Sequence, residues 1–280
     1  MLDLDAITAP HAPLEGKTVL LTAPQDSAER MAEWVQQHGG QALIAPLIAR
    51  VPLPVSAQHA QIFDRLAEYR WIVFTSGGAV ERFFDEIETR GVNREVAGSI
   101  IVAIGGRTQR RIEQRGYRVA LIAGDNSGEG VVAAISAYGL AAADRVLLPC
   151  AGNARQHVFE ELQRRGAHVE VLPLYTIAPQ VPPNLNLVFS LLRGDKIDVI
   201  SFTSPSVVRQ FYRLFPIADW HELARPPLLC ALGATTAAAL EESGIRPDVV
   251  PPQADAERML AAVAVAVAAH ESSPSTRPLP

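Results

Sequence analysis

Short runs of Val, Ile and Leu alternate along this chain with longer segments in which apolar residues recur every three or four positions. Residues 18–22 (TVLLT) form the first run, and in residues 27–38 the side chains of Met31, Trp34 and Val35 share one face. The first pattern predicts a strand, and the second predicts an amphipathic helix that packs on it.

The first helix is bounded by residues that suit helix ends. Asp26 or Ser27 is its predicted N-cap, because a short polar side chain can accept a hydrogen bond from a first-turn N–H group. Gly39 and Gly40 follow, where a residue with positive φ is needed. Further strand candidates are residues 42–48, 71–75, 100–104 and 117–122. Such continuous apolar runs are typical of strands buried on both faces, so five strand–helix units predict a doubly wound parallel α/β sheet.

The same order of landmarks occurs twice. Three landmarks recur 127 positions later: Val19-Leu20-Leu21 as Val146-Leu147-Leu148, Gly39 as Gly166, and Ala45-Pro46-Leu47 as Leu172-Pro173-Leu174. Three more recur 128 positions later: Phe74-Thr75-Ser76 as Phe202-Thr203-Ser204, Ile104-Gly105 as Leu232-Gly233, and Gly116 as Gly244. Because the spacing stays constant to within one residue, we predict an internal duplication of one α/β unit.

Two proline-rich segments lie at equivalent points of the two repeats. Residues 50–54 (RVPLP) and residues 177–183 (IAPQVPP) each follow the second predicted strand of a repeat. Proline removes backbone donors and favours extended conformation, so we predict paired connectors. Residues 271–280 lack periodicity and are predicted to be disordered.

Composition sets limits on size and class. At roughly 150 residues per domain, 280 residues predict two domains. The formal charge of −5 argues against a general nucleic-acid binder, whose surface carries a basic face. The N-terminal residues lack a basic segment typical of a secretory signal, and the apolar run 259–269 is too short to span a bilayer, so we expect a cytoplasmic protein. Cys150 and Cys230 lie outside any metal-binding pattern and are expected to be small hydrophobic residues.

Two classes of turn occur where a predicted strand meets a helix. The first class contains Ser76, Gly77 and Gly78 in one repeat and Ser204, Pro205 and Ser206 in the other. Helix-start N–H groups and the positive end of the helix dipole attract anions, and ligands of open α/β sheets bind at this edge. The alternative interpretation is that both serines are simple N-caps.

The second class of turn is glycine-based. It contains Gly105, Arg107 and Thr108 in one repeat and Gly233, Thr235 and Thr236 in the other. Glycine permits close approach of a ligand to the backbone, but neither turn has a nucleotide-binding fingerprint. Four such turns in two matched pairs would suit a ligand with several carboxylates or phosphates.

Few other side chains suggest chemistry. Arg155 is either an anion-binding residue in the loop after residue 150 or a surface residue, whereas Arg209 and His157 are expected on solvated helix faces. Tyr175 lies where one connector begins. Its phenol either donates a hydrogen bond to a leaving group or packs in the hinge.

The order and spacing of these features resemble those of the uroporphyrinogen-III synthase family over about residues 18–268. The most specific segments are residues 71–76 (WIVFTS), 165–175 (RGAHVEVLPLY) and 231–240 (ALGATTAAAL). The resemblance implies two similar flavodoxin-like domains, each with a doubly wound parallel sheet of five strands. They would exchange the first strands of their repeats and be joined by a two-stranded β-ladder. The implied limits are 1–49 plus 178–270 for one domain and 54–173 for the other, with connectors at 50–53 and 174–177.

The resemblance also implies an activity. The family are cyclising hydro-lyases that close the linear tetrapyrrole hydroxymethylbilane to uroporphyrinogen III, with loss of water and inversion of ring D and without metal or cofactor. Helix-start amides at Ser76, Gly105, Ser204 and Gly233 would bind the substrate's carboxylate arms. Tyr175 matches the family tyrosine proposed to help hydroxide leave, and Thr235 and Thr236 match its threonines. We expect no nucleic-acid or membrane partner and a monomer.

One departure from the family pattern concerns the turn after the first strand. Many members have Thr-Arg-Pro there, whereas this chain has Thr22-Ala23-Pro24, which removes one substrate contact that Arg155 could partly replace. A synthase-like module that binds a tetrapyrrole or another polyanion without turnover is therefore the alternative. A hinge-closing protein that binds small anions is a third hypothesis, although such proteins usually have a secretory signal.

Overall fold

The computed structural model describes residues 12–125, 127–152, 157–216, 223 and 225–272. The strands are β1 (Thr18–Leu21), β2 (Gln41–Ile44), β3 (Ile48–Pro52), β4 (Trp71–Phe74), β5 (Ile100–Ala103), β6 (Leu121–Ile122), β7 (Arg145–Ala151), β8 (His168–Pro179), β9 (Val199–Phe202) and β10 (Leu228–Ala231). The helices are α1 (Gln25–Gln37), α2 (Ala57–Asp64), α3 (Gly77–Arg90), α4 (Gly106–Gln114), α5 (Gly128–Tyr138), α6 (His157–Arg164), α7 (Leu185–Arg193), α8 (Pro205–Leu214), α9 (Ala234–Glu242) and α10 (Ala256–Ser272). The prediction of a mixed α/β fold with parallel sheets is confirmed.

The described chain folds into two compact units. The first unit combines residues up to 49 with those from 178 onward, and the second contains residues 50–177. The sheet of the first unit has the order β10-β9-β1-β2, and each pair of neighbouring strands is parallel. Its core packs α1 and α10 on the sheet through residues such as Val35, Met259 and Val263. The apolar run 259–269 is therefore part of a core helix.

The sheet of the second unit has the order β3-β8-β7-β4-β5-β6. Successive residues of β4 enter different cores, because side chains alternate across a strand. Ile72 and Phe74 lie in a cluster with α3, and Trp71 and Val73 lie in a cluster with α5 and α6. The continuous apolar run of this strand is therefore explained by burial on both faces.

Several predicted boundaries were wrong. The predicted strand 42–48 is divided into β2 and β3, because Pro46 has no amide hydrogen for the ladder. Helix α1 begins one residue before Asp26, with Pro24 at the N-cap position and no side-chain cap, so neither Asp26 nor Ser27 is the cap. Within the predicted strand 117–122, the strand β6 is limited to Leu121–Ile122.

The strand count also differs from five per sheet, since the described part of the chain forms sheets of four and six strands. The segment that would form a fifth strand in the first unit makes one parallel bridge, between Val249 and Cys230. Pro247 and Pro251 flank this segment. In the second unit, β3 adds a sixth strand.

At the C-terminal end, α10 continues through residue 272, so the expected disorder of 271–280 was wrong for its first two residues. The remaining eight lie outside the described residues. None of the described helices is long and apolar enough to cross a membrane.

Asp144 lies directly before β7, beside the start of the neighbouring strand β4. Its carboxylate accepts hydrogen bonds from Trp71 Nε1 at 3.0 Å, from the Ala141 amide at 2.9 Å and from Arg70 Nη1 at 3.0 Å. Burial alone would raise the pKa of this carboxyl, but the three donors and the charge of Arg70 together lower the pKa below its usual value.

The expected consequence is a loss of stability in acid. A lowered native pKa stabilises the fold above the ordinary Asp pKa of about 3.9, and this contribution disappears as the pH falls through the lowered value. At neutral pH, Asp144→Ala should reduce the free energy of unfolding by about 1–3 kcal/mol, because the buried Trp71 Nε1 loses its acceptor. Urea unfolding from neutral pH into acid should show that the stability difference between the unmodified protein and Asp144→Ala shrinks as the pH falls. The matched control is Asp64→Ala at the exposed last residue of α2, and an equal acid response in both variants would contradict the role of Asp144.

Candidate active site

All four predicted turns begin helices directly after parallel strands. Helices α3 and α4 begin at the ends of the neighbouring strands β4 and β5, and α8 and α9 begin at the ends of β9 and β10. Because parallel neighbours end at the same edge of a sheet, each unit has two helix starts side by side. The structure thus brings the predicted residues together as one pair of turns in each unit.

The two serine turns are N-caps. The Ser76 hydroxyl accepts the Ala79 N–H at 3.3 Å, and the Ser204 hydroxyl accepts the Val207 N–H at 3.4 Å. The proline at 205 occupies the first turn of α8, where it needs no hydrogen-bond donor. Both hydroxyls are therefore N-caps, and the first-turn amides that they do not bind are left to be considered.

The two glycine turns are built differently. Gly105 and Gly233 are the N-cap residues of α4 and α9 and contribute no side-chain cap. Both have extended backbones, with φ of −179° and −176°. At Gly233, an added Cβ would lie 3.1 Å from the Ala254 Cβ, so a larger residue would press on the neighbouring segment. Both glycines are themselves buried, whereas the residues that follow them, Gly106 and Ala234, are exposed. A ligand that approaches these first turns therefore meets no side chain at the N-cap position.

The residues after these glycines differ in exposure. Thr108 and Thr236 are 5% and 3% exposed, whereas Arg107 and Thr235 are exposed. The side chain of Arg107 lies in the first turn of α4, where the helix dipole disfavours a cation. An anion at this helix end would offset that repulsion.

Tyr175 is buried beside the start of α3. Its phenol oxygen lies 3.0 Å from the Ser76 Oγ, and 5% of the residue is exposed. The pairing of β7 with β8 shifts register here, from Cys150 opposite Pro173 to Ala151 opposite Tyr175. This irregularity lets Leu174 and Tyr175 enter the same core cluster, although consecutive strand residues normally face opposite sides.

Sequence reasoning missed Arg50, which lies next to the tyrosine. A Cβ built on Gly78 would lie 3.1 Å from Arg50 Cδ and 3.2 Å from Tyr175 Cζ. Gly78 therefore leaves the space that both side chains occupy. Arg50 was treated only as part of a proline-rich connector, and no periodic pattern distinguishes it.

Arg111 was also missed. It lies over the first residue of α3, where a Cβ on Gly77 would come within 2.6 Å of Arg111 Cδ, and its guanidinium pairs with Glu81. Its side chain is mostly buried, with 14% exposed. In the sequence it is one of several arginines in a polar helix, so only the packing of α4 on α3 distinguishes it.

Of three other candidates, Arg209 contacts a serine turn, His157 contacts a different helix, and one cannot be described. Arg209 is exposed on α8, and its guanidinium lies 3.2 Å from the Ser206 hydroxyl, as expected for a solvated face. His157 Nε2 lies 3.1 Å from Glu129, and its side chain is 42% exposed. Arg155 lies outside the described residues.

Both cysteines are buried thiols without reactive character. Burial raises the pKa of Cys150 to about 11 and also raises the pKa of Cys230. Both groups therefore stay protonated at neutral pH, and a protonated thiol is a poor nucleophile and metal ligand. Within the described residues, no group of three or more His, Cys, Asp or Glu residues is arranged to hold a metal ion.

Comparisons with known proteins identify relatives of the whole chain. The family model described as uroporphyrinogen-III synthase HemD matches residues 29–261. A putative uroporphyrinogen-III synthase from Methanothermobacter thermautotrophicus is 30% identical, covering 88% of this chain and 97% of the relative. The uroporphyrinogen-III synthase of Chlorobaculum parvum is 26% identical, covering 90% and 99%.

Solved structures show the same fold. A mutant uroporphyrinogen-III synthase from Thermus thermophilus aligns with a TM-score of 0.60 at 20% identity, covering 90% of this chain and 99% of the other. The Helicobacter pylori uroporphyrinogen-III synthetase aligns with a TM-score of 0.59 at 17% identity, with the same coverage.

Proposed function

This chain belongs to the uroporphyrinogen-III synthase family, and on that premise we propose that it closes hydroxymethylbilane to uroporphyrinogen III, with loss of water and inversion of ring D. Within the structure, the main support for the proposal is the position of Tyr175. Its phenol oxygen lies 3.0 Å from the Ser76 Oγ at the start of α3. A proton donor is thereby held at a helix end suited to anionic groups. The reaction requires a proton for the departing hydroxyl and binding sites for carboxylate arms.

We propose that the substrate's acetate and propionate arms bind the four helix starts. The proposed contacts are Ser76, Gly77, Gly78, Gly105, Arg107 and Thr108 in the second unit, Ser204, Pro205, Ser206, Gly233, Thr235 and Thr236 in the first, and Arg155. A carboxylate at a helix N-terminus gains about 0.3–2 kcal/mol. Since Thr108 and Thr236 are buried, their contribution would come through the backbone of the turn.

Chemically, the enzyme's task is to direct ring closure. Uncatalysed closure proceeds without inversion, so the bound chain must be bent until the substituted carbon of ring D meets the electrophilic carbon on ring A. Holding the reacting atoms together in this way is a positioning effect. Tyr175 would give its proton to the departing hydroxyl as general acid, with no cofactor required by the proposed steps.

The duplicated architecture is also part of the proposal. Domains at 1–49 plus 178–270 and at 54–173 would each combine the first two strands of one repeat with later strands of the other. The pairing of β1 with β9 and of β4 with β7 supports this exchange. Support for a ladder between connectors 50–53 and 174–177 comes from the Leu53 amide bonded to Leu174 O and the Gln180 amide bonded to Leu47 O. As residue numbers rise from 47 to 53 in one segment, those of the bonded residues fall from 180 to 174, as in an antiparallel pair. Since one chain supplies every proposed contact, we propose a monomer.

The decisive experiment is an isomer assay. Hydroxymethylbilane is generated in situ, the porphyrinogen products are oxidised, and the I and III isomers are separated by chromatography. The expected product is predominantly isomer III. Isomer I alone, formed at the uncatalysed rate, would overturn the proposed activity.

A binding module without turnover is the second candidate, and the residue after the first strand favours it. Where many family members have Arg, this chain has Ala23, which is fully buried in the core of the first unit. Calorimetry that shows tight tetrapyrrole binding by a protein without turnover would select this alternative. Turnover to isomer III would exclude it.

A further inference from the structure

Two hydroxyl groups meet at the start of α3. The Ser76 Oγ accepts the Ala79 N–H at 3.3 Å and lies 3.0 Å from the Tyr175 oxygen. We propose that Ser76 is a positioning residue, which donates its hydroxyl proton to Tyr175 and thereby turns the phenol proton toward the substrate. This inference rests on the proposed function, because it assigns a partner to the proposed general acid.

The proposed role of Tyr175 as the acid selects this direction of donation. The Ala79 amide can only donate, so it occupies one of the two lone pairs of the Ser76 oxygen and leaves the Ser76 proton available to give. If Tyr175 donated to Ser76 instead, the phenol would have no proton for the departing group. A hydroxyl whose oxygen already accepts a hydrogen bond is a stronger donor, so the Ala79 contact reinforces the chain from Ala79 through Ser76 to Tyr175.

The surroundings restrict the phenol to this arrangement. Tyr175 Cζ, the carbon that carries the hydroxyl, lies 3.2 Å from the position that a Cβ on Gly78 would occupy. Arg50 Nε lies 3.3 Å from the same point, so these two atoms are no more than 6.5 Å apart. The hydroxyl end of Tyr175 is therefore confined to the first turn of α3 near a cation, while Ser76 supplies a hydrogen-bond partner.

The proposed step is balanced in protons and electrons. The carbon–oxygen bond of the hydroxymethyl group breaks, and both of its electrons leave with oxygen. That oxygen takes the phenol proton of Tyr175 and departs as water, which leaves a phenolate. The Ser76 hydroxyl stabilises the phenolate by a hydrogen bond. Ring D then bonds through its substituted carbon, which carries no hydrogen; the bond from that carbon to its bridge breaks, and the bridge carbon bonds the free carbon of ring D. That free carbon loses its hydrogen as a proton, and this proton restores the phenol.

Substitutions at residue 76 separate this role from substrate binding. Ser76→Ala should lower kcat about tenfold to a hundredfold with little change in KM, since a hydrogen bond to a developing charge is lost. Ser76→Thr should restore most of kcat, because it keeps the hydroxyl. Ser76→Gly should lower kcat as Ala does and preserve the start of α3, since glycine is a tolerated N-cap.

The control removes an equivalent cap elsewhere in the second unit. Ser56 caps α2, and its exposed hydroxyl accepts the His59 N–H at 3.2 Å. Ser56→Ala should cost similar thermal stability and leave kcat unchanged. A fall in kcat equal to that of Ser76→Ala would mean that the effect is only structural, and would overturn the proposal.

A double-mutant cycle gives the sharpest test. In the Tyr175→Phe background, Ser76→Ala should have almost no further effect on kcat, because the two residues act as one unit. If the effects of Ser76→Ala and Tyr175→Phe on kcat multiply, the proposal is overturned. A raised KM with unchanged kcat in Ser76→Ala would also overturn it. Neither result would contradict the synthase activity. Failure of the unmodified protein to produce isomer III would instead reject the proposed function.

Discussion

Tyr175→Phe is expected to lower kcat about 10²–10⁴-fold, the usual contribution of a positioned general acid. The change removes only the hydroxyl that lies 3.0 Å from Ser76, and the ring keeps its place in the core cluster with Leu172 and Leu174. KM should change little, because the helix starts proposed to bind the substrate remain intact. The isomer assay under saturating hydroxymethylbilane measures the effect.

Tyr138→Phe is the matched control for this prediction. Tyr138 belongs to the same unit and is 55% exposed, with its ring edge against Trp71. Its loss of a hydroxyl should leave kcat unchanged. If Tyr175→Phe retains nearly full turnover, Tyr175 is not the acid, and catalysis reduces to substrate positioning and the electrostatic effect of the helix-start amides.

The largest stability effect is expected at the centre of the second unit. Phe83 is fully buried on α3, and its ring centroid lies 5.4 Å from Phe74, 5.3 Å from Phe84 and 6.0 Å from Phe63. Phe83→Ala should lower the free energy of unfolding by about 3–5 kcal/mol, because it removes buried apolar surface and leaves a cavity. Urea unfolding followed by circular dichroism measures the loss.

Tyr138→Ala provides the comparison for this second prediction. Its ring is more than half exposed, so the expected loss is below about 1 kcal/mol. The loss of unfolding free energy for Phe83→Leu should lie between those of Phe83→Ala and Tyr138→Ala, since leucine fills part of the space that the ring occupied. A loss under 1 kcal/mol for Phe83→Ala would contradict the packing of four aromatic rings around α3.

Much of the fold followed from local pattern. Continuous apolar runs predicted β1, β4 and β5, because a strand buried on both faces must be apolar at each position. Boundaries were less predictable where proline intervened. Pro24 starts α1 without a side-chain cap, and Pro46 separates β2 from β3, although neighbouring residues suggested otherwise.

By itself, the sequence determined the turns of the candidate site. A serine or glycine directly after a buried strand marks a helix start, because few other residues satisfy or expose the first-turn amides. Where such a helix starts depends on interactions between residues no more than four positions apart. Ser76, Gly105, Ser204 and Gly233 are accordingly the N-cap residues of four helices.

Only the tertiary structure decided which elements meet. Val19-Leu20-Leu21 and Val146-Leu147-Leu148 are the same local sequence, so periodicity cannot tell that the first pairs with β9 and the second with β4. The register shift opposite Ala151 gives Tyr175 the same core as Leu174, against the usual alternation. The close approach of Arg50 to Tyr175 likewise depends on residues more than a hundred positions apart. Such contacts arise from chain connectivity and packing, which no local pattern records.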